Sequence, residues 1–139
     1  IAFCLMPNHF HLLLQERVNG GISKFMQRLG TGYTMYFNEN NNRSGALFQG
    51  RFKSKFVDTE LYLLKVIDYI HLNPKKMPGS LTYEWSSYHN YCGENKFDHL
   101  LQLEALDGIM EVPKGHEYRQ WLNSQGNFED INHLSIDNI

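Results

Sequence analysis

His9 and His11 stand one residue apart in the apolar run FCLMPNHFHLLLQ, just after Pro7-Asn8. Imidazole is a poor filler for an apolar strand, and its neutral form is a common ligand for divalent metals. Side chains alternate faces on a strand, so His9, His11 and Leu13 share one face and Phe10, Leu12 and Leu14 the other. The apolar trio then belongs in the core, with the histidines projecting together from the opposite face. They lie roughly 7 Å apart along the strand at about 3.3 Å per residue. Both rings can converge on one cation from there. Two ordinary histidines on a polar strand face satisfy the same spacing.

A second set lies in LLKVIDYIHLNP. At roughly 100° per residue, Tyr62, Tyr69 and Asn73 fall on one narrow edge beside an apolar helix stripe. Tyr69 and Asn73 are four apart, hence neighbours one turn from each other. A phenol beside a carboxamide at that rim is placed to face the histidine pair. Taken alone, the positions are better met by Tyr69 packing at the core edge and Asn73 ending the helix before Pro74. A third set is QGRFKSKF, where alternation puts Arg51, Lys53 and Lys55 on one strand face. Three cations in a row suit a phosphate backbone, and they suit a plain solvated face as well.

The elements that must position these residues follow from periodicity and turn chemistry. Residues 1 to 6 and 9 to 15 read as two strands joined at Pro7-Asn8, a hairpin. Gly20-Gly21 breaks the pattern. Ile22, Phe25, Met26, Leu29 and Tyr33 then recur at helical spacing to about Phe37. NENNNRSG reads as a loop, and ALFQGRFKSKFV as a strand. Asp58 or Thr59 caps a helix with core stripe Leu63, Val66, Ile67 and Ile70, which Asn73-Pro74 ends. An irregular MPGSLTYEWSSYHNYCG follows, then a helix around Leu100 to Met110, a shorter one over Glu117 to Asn123, and a polar tail. Helices interleaved with strands, without a regular βαβ pattern, predict an α+β domain.

A chain of 139 residues with 42% hydrophobic and 14% aromatic content supports one folded domain rather than a disordered segment. Its apolar runs are shorter than a membrane span, so no membrane is expected. Cys4 and Cys92 fit no metal or redox spacing and read as reduced thiols of a cytoplasmic protein. Net charge is −2, yet its distribution is uneven. Arg43 to Lys76 holds seven Lys/Arg against three Asp/Glu, a net of +4, whereas Met77 to Ile139 holds three against ten, a net of −7. The basic middle suggests an anionic partner.

In their order, CLMPNHFHLLL, SKFMQRLGTGYTMYFN, SGALFQGRFKSK, YLLKVIDYIHLNP and EWSSYHNY resemble the IS200-like single-tyrosine transposases, nearest their REP-associated branch. The resemblance covers residues 1–93, with 94–139 as a C-terminal helical extension and acidic tail. It implies a ferredoxin-like fold with a central antiparallel sheet flanked by helices. It implies that an N-terminal strand and helix normally precede the histidine hairpin. It further implies that His9 and His11 hold a divalent metal, Mg2+ or Mn2+, that Tyr69 is the nucleophile, and that Asn73 helps hold the ion. Imidazole ligands on their own favour softer ions over Mg2+. The implied partner is single-stranded DNA or a DNA hairpin, contacted by Arg51, Lys53 and Lys55. A homodimer is left open, and the implied location is a bacterial nucleoid.

Three other readings compete. A relative that binds DNA hairpins without cutting them would have no need to keep His9, His11 and Tyr69 together. A hydrolase using activated water usually supplies three firm metal ligands, and no HExxH occurs here. A plain α+β domain with chance histidines would not bind a labelled hairpin.

Overall fold

The computed structural model describes residues 1–76, 83–109 and 112–124. It is an α+β arrangement of a two-stranded antiparallel sheet and four α-helices. The described residues divide into two compact units, Ile1–Leu14 with those from Phe56 onward, and Gln15–Lys55.

In the first unit, β1 (Ala2–Leu5) and β2 (Phe10–Leu13) pair with Cys4 opposite His11 and Leu5 opposite Phe10. Met6 N–H donates to the His9 carbonyl at 2.8 Å, which leaves Pro7 and Asn8 at the centre of the turn. Proline presets φ for such a position. The other edge of β1 is closed by residues 85–87. Leu5 N–H donates to the Trp85 carbonyl at 2.9 Å, Ser87 N–H to the Phe3 carbonyl at 3.0 Å, and Ser86 bridges Cys4.

Helix α2 (Glu60–Leu72) is capped by Thr59, whose hydroxyl accepts from Tyr62 N–H at 3.2 Å. Of the two expected caps, Thr59 is the one used. Val66, Ile67 and Ile70 of α2 pack with Ala2, Cys4 and Leu13 of the sheet. A 3-10 turn, Asn73–Lys76, ends the helix. Pro74 has no N–H with which to continue it. The expectation for the sheet faces is reversed here. β2 buries His11 and Leu13 and leaves Phe10 and Leu12 half-exposed. The cause is α2, which covers the side that Ala2, Cys4, His11 and Leu13 share. Contact with the helix, not the apolar character of Phe10 and Leu12, decides which face is inside.

Beyond residue 83, α3 (Tyr88–Tyr91) lies within a stretch expected to be irregular. The expected helix over Leu100 to Met110 is instead two 3-10 turns, Asp98–Leu100 and Leu103–Leu106, with Met110 outside the described residues. Gly108 follows at φ 78°, a conformation that does not continue a right-handed helix. Helix α4 (His116–Ser124) appears where Glu117 to Asn123 was expected. The polar tail and 77–82 lie outside the described residues.

The second unit carries α1 (Gly21–Asn40), three residues longer than expected. Gly20 precedes it at φ 74°, which only glycine adopts cheaply. No residue of α1 is buried. Tyr33 lies with Tyr36, Phe37 and Phe48, ring centroids 6.2–6.4 Å apart, and the Arg43 guanidinium sits 5.7 Å over Phe37. The expected strand ALFQGRFKSKFV is irregular chain, almost all of it exposed. Alternation becomes a strand only where a ladder satisfies the backbone, and no strand among the described residues pairs with this stretch.

Candidate active site

β2 and α2 bring His11, Tyr69 and Asn73 together. His11 is 6% exposed. Its ring meets the Tyr69 ring edge to face, centroids 5.4 Å apart at 80°. Its Nε2 lies 2.9 Å from Asn73 Nδ2, which donates to it. Tyr69 and Asn73, one turn apart, thus approach the same imidazole from one helix edge.

His9 precedes β2 and is exposed. Its ring centroid stands 5.0 Å from that of His11, nearly perpendicular. His9 Nδ1–H donates to Asn8 Oδ1 at 2.7 Å. That bond selects the tautomer whose Nε2 carries the lone pair, the arrangement a metal-binding imidazole requires. Asn8 is a member of the site that sequence reasoning missed. Its only signal was a short polar side chain beside the first histidine.

The donor set fits a hard-to-borderline divalent cation. Asn73 stands within hydrogen-bond distance of His11 Nε2, so its carboxamide and the imidazole could serve one ion. A half-turn of the Asn73 carboxamide would present its oxygen in place of its nitrogen. Among the described residues no group of three or more His, Cys, Asp and Glu side chains is gathered for a metal. A site here therefore rests on two imidazoles and one carboxamide, and it leaves coordination positions open.

Cys4, paired across the strands with His11, is fully buried. Burial pushes its thiol up to about 11, against a weaker lowering by a hydrogen bond from Ser86. It stays a neutral thiol beside the histidine face. Arg51, Lys53 and Lys55 are exposed side chains of the second unit, on irregular chain rather than a strand face. No helix among the described residues is long and apolar enough to cross a membrane.

The structure thus brings one phenol, two imidazoles and an amide close to one another on an α+β frame. The family model of IS200-like transposases matches residues 1–73, more than half of the chain, and the chain belongs to that family. His9, His11, Arg51, Lys53, Lys55, Tyr69 and Asn73 all fall within the matched span, whereas α3 and α4 lie beyond it. The function of the family is DNA transposition. No curated protein and no solved structure matches the chain.

Proposed function

We propose that this protein cuts and rejoins single-stranded DNA beside a hairpin through a 5′-phosphotyrosine link on Tyr69. The observation that carries the reading is the packing of the Tyr69 ring on His11, while Asn73 of the same helix edge reaches His11 Nε2. The sequence EWSSYHNY further supports the REP-associated branch of the family.

In the forward step the Tyr69 oxygen forms a bond to a backbone phosphorus, and the bond to the 3′-oxygen breaks. The phenolic proton is lost and the departing oxygen gains one, leaving a free 3′-OH. Attack by a 3′-OH on the tyrosyl phosphodiester reverses the exchange, so no outside energy source is needed. A free phenol has a pKa of about 10 and is a weak nucleophile at neutral pH. His9, His11 and Asn73 would hold Mg2+ or Mn2+, which supplies charge neutralisation at a non-bridging phosphate oxygen. Packing on the buried His11 limits the rotamers of Tyr69 and holds its ring at the imidazole face. Arg51, Lys53 and Lys55 supply positive charge for the DNA backbone.

The polarity of the break tests the reading. With a hairpin oligonucleotide labelled at either end, the 3′-side fragment should remain on the protein and the 5′-side fragment should leave with a 3′-OH. Release of both fragments unattached would favour a water-based hydrolase.

A further inference from the structure

Helix α2 has a second polar edge that the proposed reaction does not use. Asp68 and His71 lie about 100–160° around the helix from Tyr69 and Asn73 at 100° per residue, and both are buried. Their partners come from the chain beyond the family-matched span. The Tyr118 hydroxyl donates to Asp68 Oδ1 at 3.3 Å, and Trp121 Nε1–H donates to Asp68 Oδ2 at 3.1 Å. Tyr118 also meets His71 Nδ1, and Ser87 Oγ lies 2.8 Å from His71 Nε2. Phe3 N–H of β1 donates to Ser87 Oγ at 2.9 Å.

Two assignments of protons fit these contacts, because Ser87 Oγ also lies 3.2 Å from the Phe3 carbonyl. In one, Ser87 donates to His71 Nε2, His71 Nδ1–H to Tyr118, and Tyr118 to Asp68; in the other, Ser87 donates to the Phe3 carbonyl, His71 Nε2–H to Ser87, and Tyr118 to His71 Nδ1. In both, Phe3 N–H donates to Ser87 and Trp121 to the second carboxylate oxygen of Asp68. In either case the imidazole gives one donor and one acceptor to the chain of hydrogen bonds. A buried network that is fully satisfied has one geometry, because breaking any member leaves polar groups stranded. Asp68 is the immediate neighbour of Tyr69, so the network fixes the rotation of α2 from the side opposite the histidines.

We propose that Tyr118 and Trp121 of α4 are positioning residues for Tyr69. They lock the register of α2 through Asp68 and His71 and so set the approach of Tyr69 and Asn73 to His11. The proposal rests on Tyr69 being the nucleophile. It assigns to the C-terminal extension a role in the reaction rather than in DNA contact.

The test uses the full chain and the variants Tyr118→Phe and Trp121→Phe. Each removes a donor and keeps an aromatic ring. Trp121 is the more exposed, so its variant retains the fold if Tyr118→Phe does not. Two readouts are taken well below the melting temperature: the rate of covalent attachment to a saturating hairpin oligonucleotide with Mn2+, and the His11 imidazole NMR resonances without DNA or metal. The expected result is an attachment rate lower by about tenfold or more, unchanged hairpin affinity, and displaced His11 resonances. A wild-type rate with unmoved His11 resonances in Trp121→Phe would overturn the proposal. If the wild-type protein forms no adduct, the proposed function fails. The His11 resonances then decide the positioning role alone, displacement supporting it and its absence overturning it.

Discussion

Asn73 and His11, sixty-two positions apart in the sequence, meet side chain to side chain at 2.9 Å. The contact joins the C-cap of α2 to the buried face of β2. It is where the helix bearing Tyr69 is registered against the histidine pair.

Removing the imidazoles should separate chemistry from binding. The His9→Ala/His11→Ala variant should lose strand cleavage and retain hairpin affinity, since the proposal assigns the phosphate contacts to the basic segment. Mn2+ affinity by titration calorimetry should fall at least tenfold. Equal affinity in wild type and variant would remove the metal from these residues. His11→Ala also removes the acceptor of the half-buried Asn73 amide, so denaturant unfolding should show a loss of about 0.5–1.5 kcal/mol.

Arg51, Lys53 and Lys55 should act through charge alone. Alanine at any one should weaken binding similarly across DNA sequences. It should also reduce the slope of log affinity against log salt by about 0.7 for each single-strand phosphate that is no longer neutralised. An unchanged slope would place the DNA surface elsewhere. A penalty at one base position would mean base readout.

Thr59 caps α2, the helix that carries Tyr69. Thr59→Ala removes the acceptor for Tyr62 N–H and should reduce stability by about 1 kcal/mol in urea unfolding. Asp58→Ala should change it far less, and a larger effect at Asp58 would shift the cap.

Alkaline pH should destabilise the fold. The Cys4 thiol is pushed up to about 11 by burial, from 9.0, so the folded state keeps its proton after the unfolded chain loses it. That contribution is complete below pH 9 and is lost as pH rises through about 11. Burial raises Tyr88 to about 12 and Tyr91 as well, which acts in the same direction. Melting temperature should fall from pH 9 upward. Iodoacetamide at pH 9 should leave Cys4 unmodified in folded protein and modify it in urea, as read by mass spectrometry. Prompt modification of Cys4 in the folded protein would refute its burial.

Short-range signals made much of this molecule legible. The hairpin followed from Pro7-Asn8 between two apolar runs, and α2 from its stripe and the Asn73-Pro74 stop. The helical four-residue step set Tyr69 beside Asn73. Burial of the histidine face was not legible, because Phe10 and Leu12 are the more apolar side chains and only the packing of α2 chooses the side. The segment around Arg51 alternates as a strand does, but a strand is a property of two chains, and its pattern names no partner. Least visible was the set joining Asp68 and His71 to Ser87, Tyr118 and Trp121. Those pairs span sixteen to fifty-three positions, and no periodicity links them.

The most direct measurement is the mapping of a covalent protein–DNA adduct. Tyr62 shares the edge of α2 with Tyr69 but lies about 10 Å away along the helix, too far to serve the same phosphate. Full-length protein, Mn2+ and a single-stranded hairpin substrate should give an adduct that survives denaturation. Peptide mass spectrometry should place it on Tyr69. Tyr62→Phe should still form it. Tyr69→Phe, which loses only a hydroxyl, should bind the hairpin and form none. An adduct of undiminished yield in Tyr69→Phe would contradict the assignment of the nucleophile.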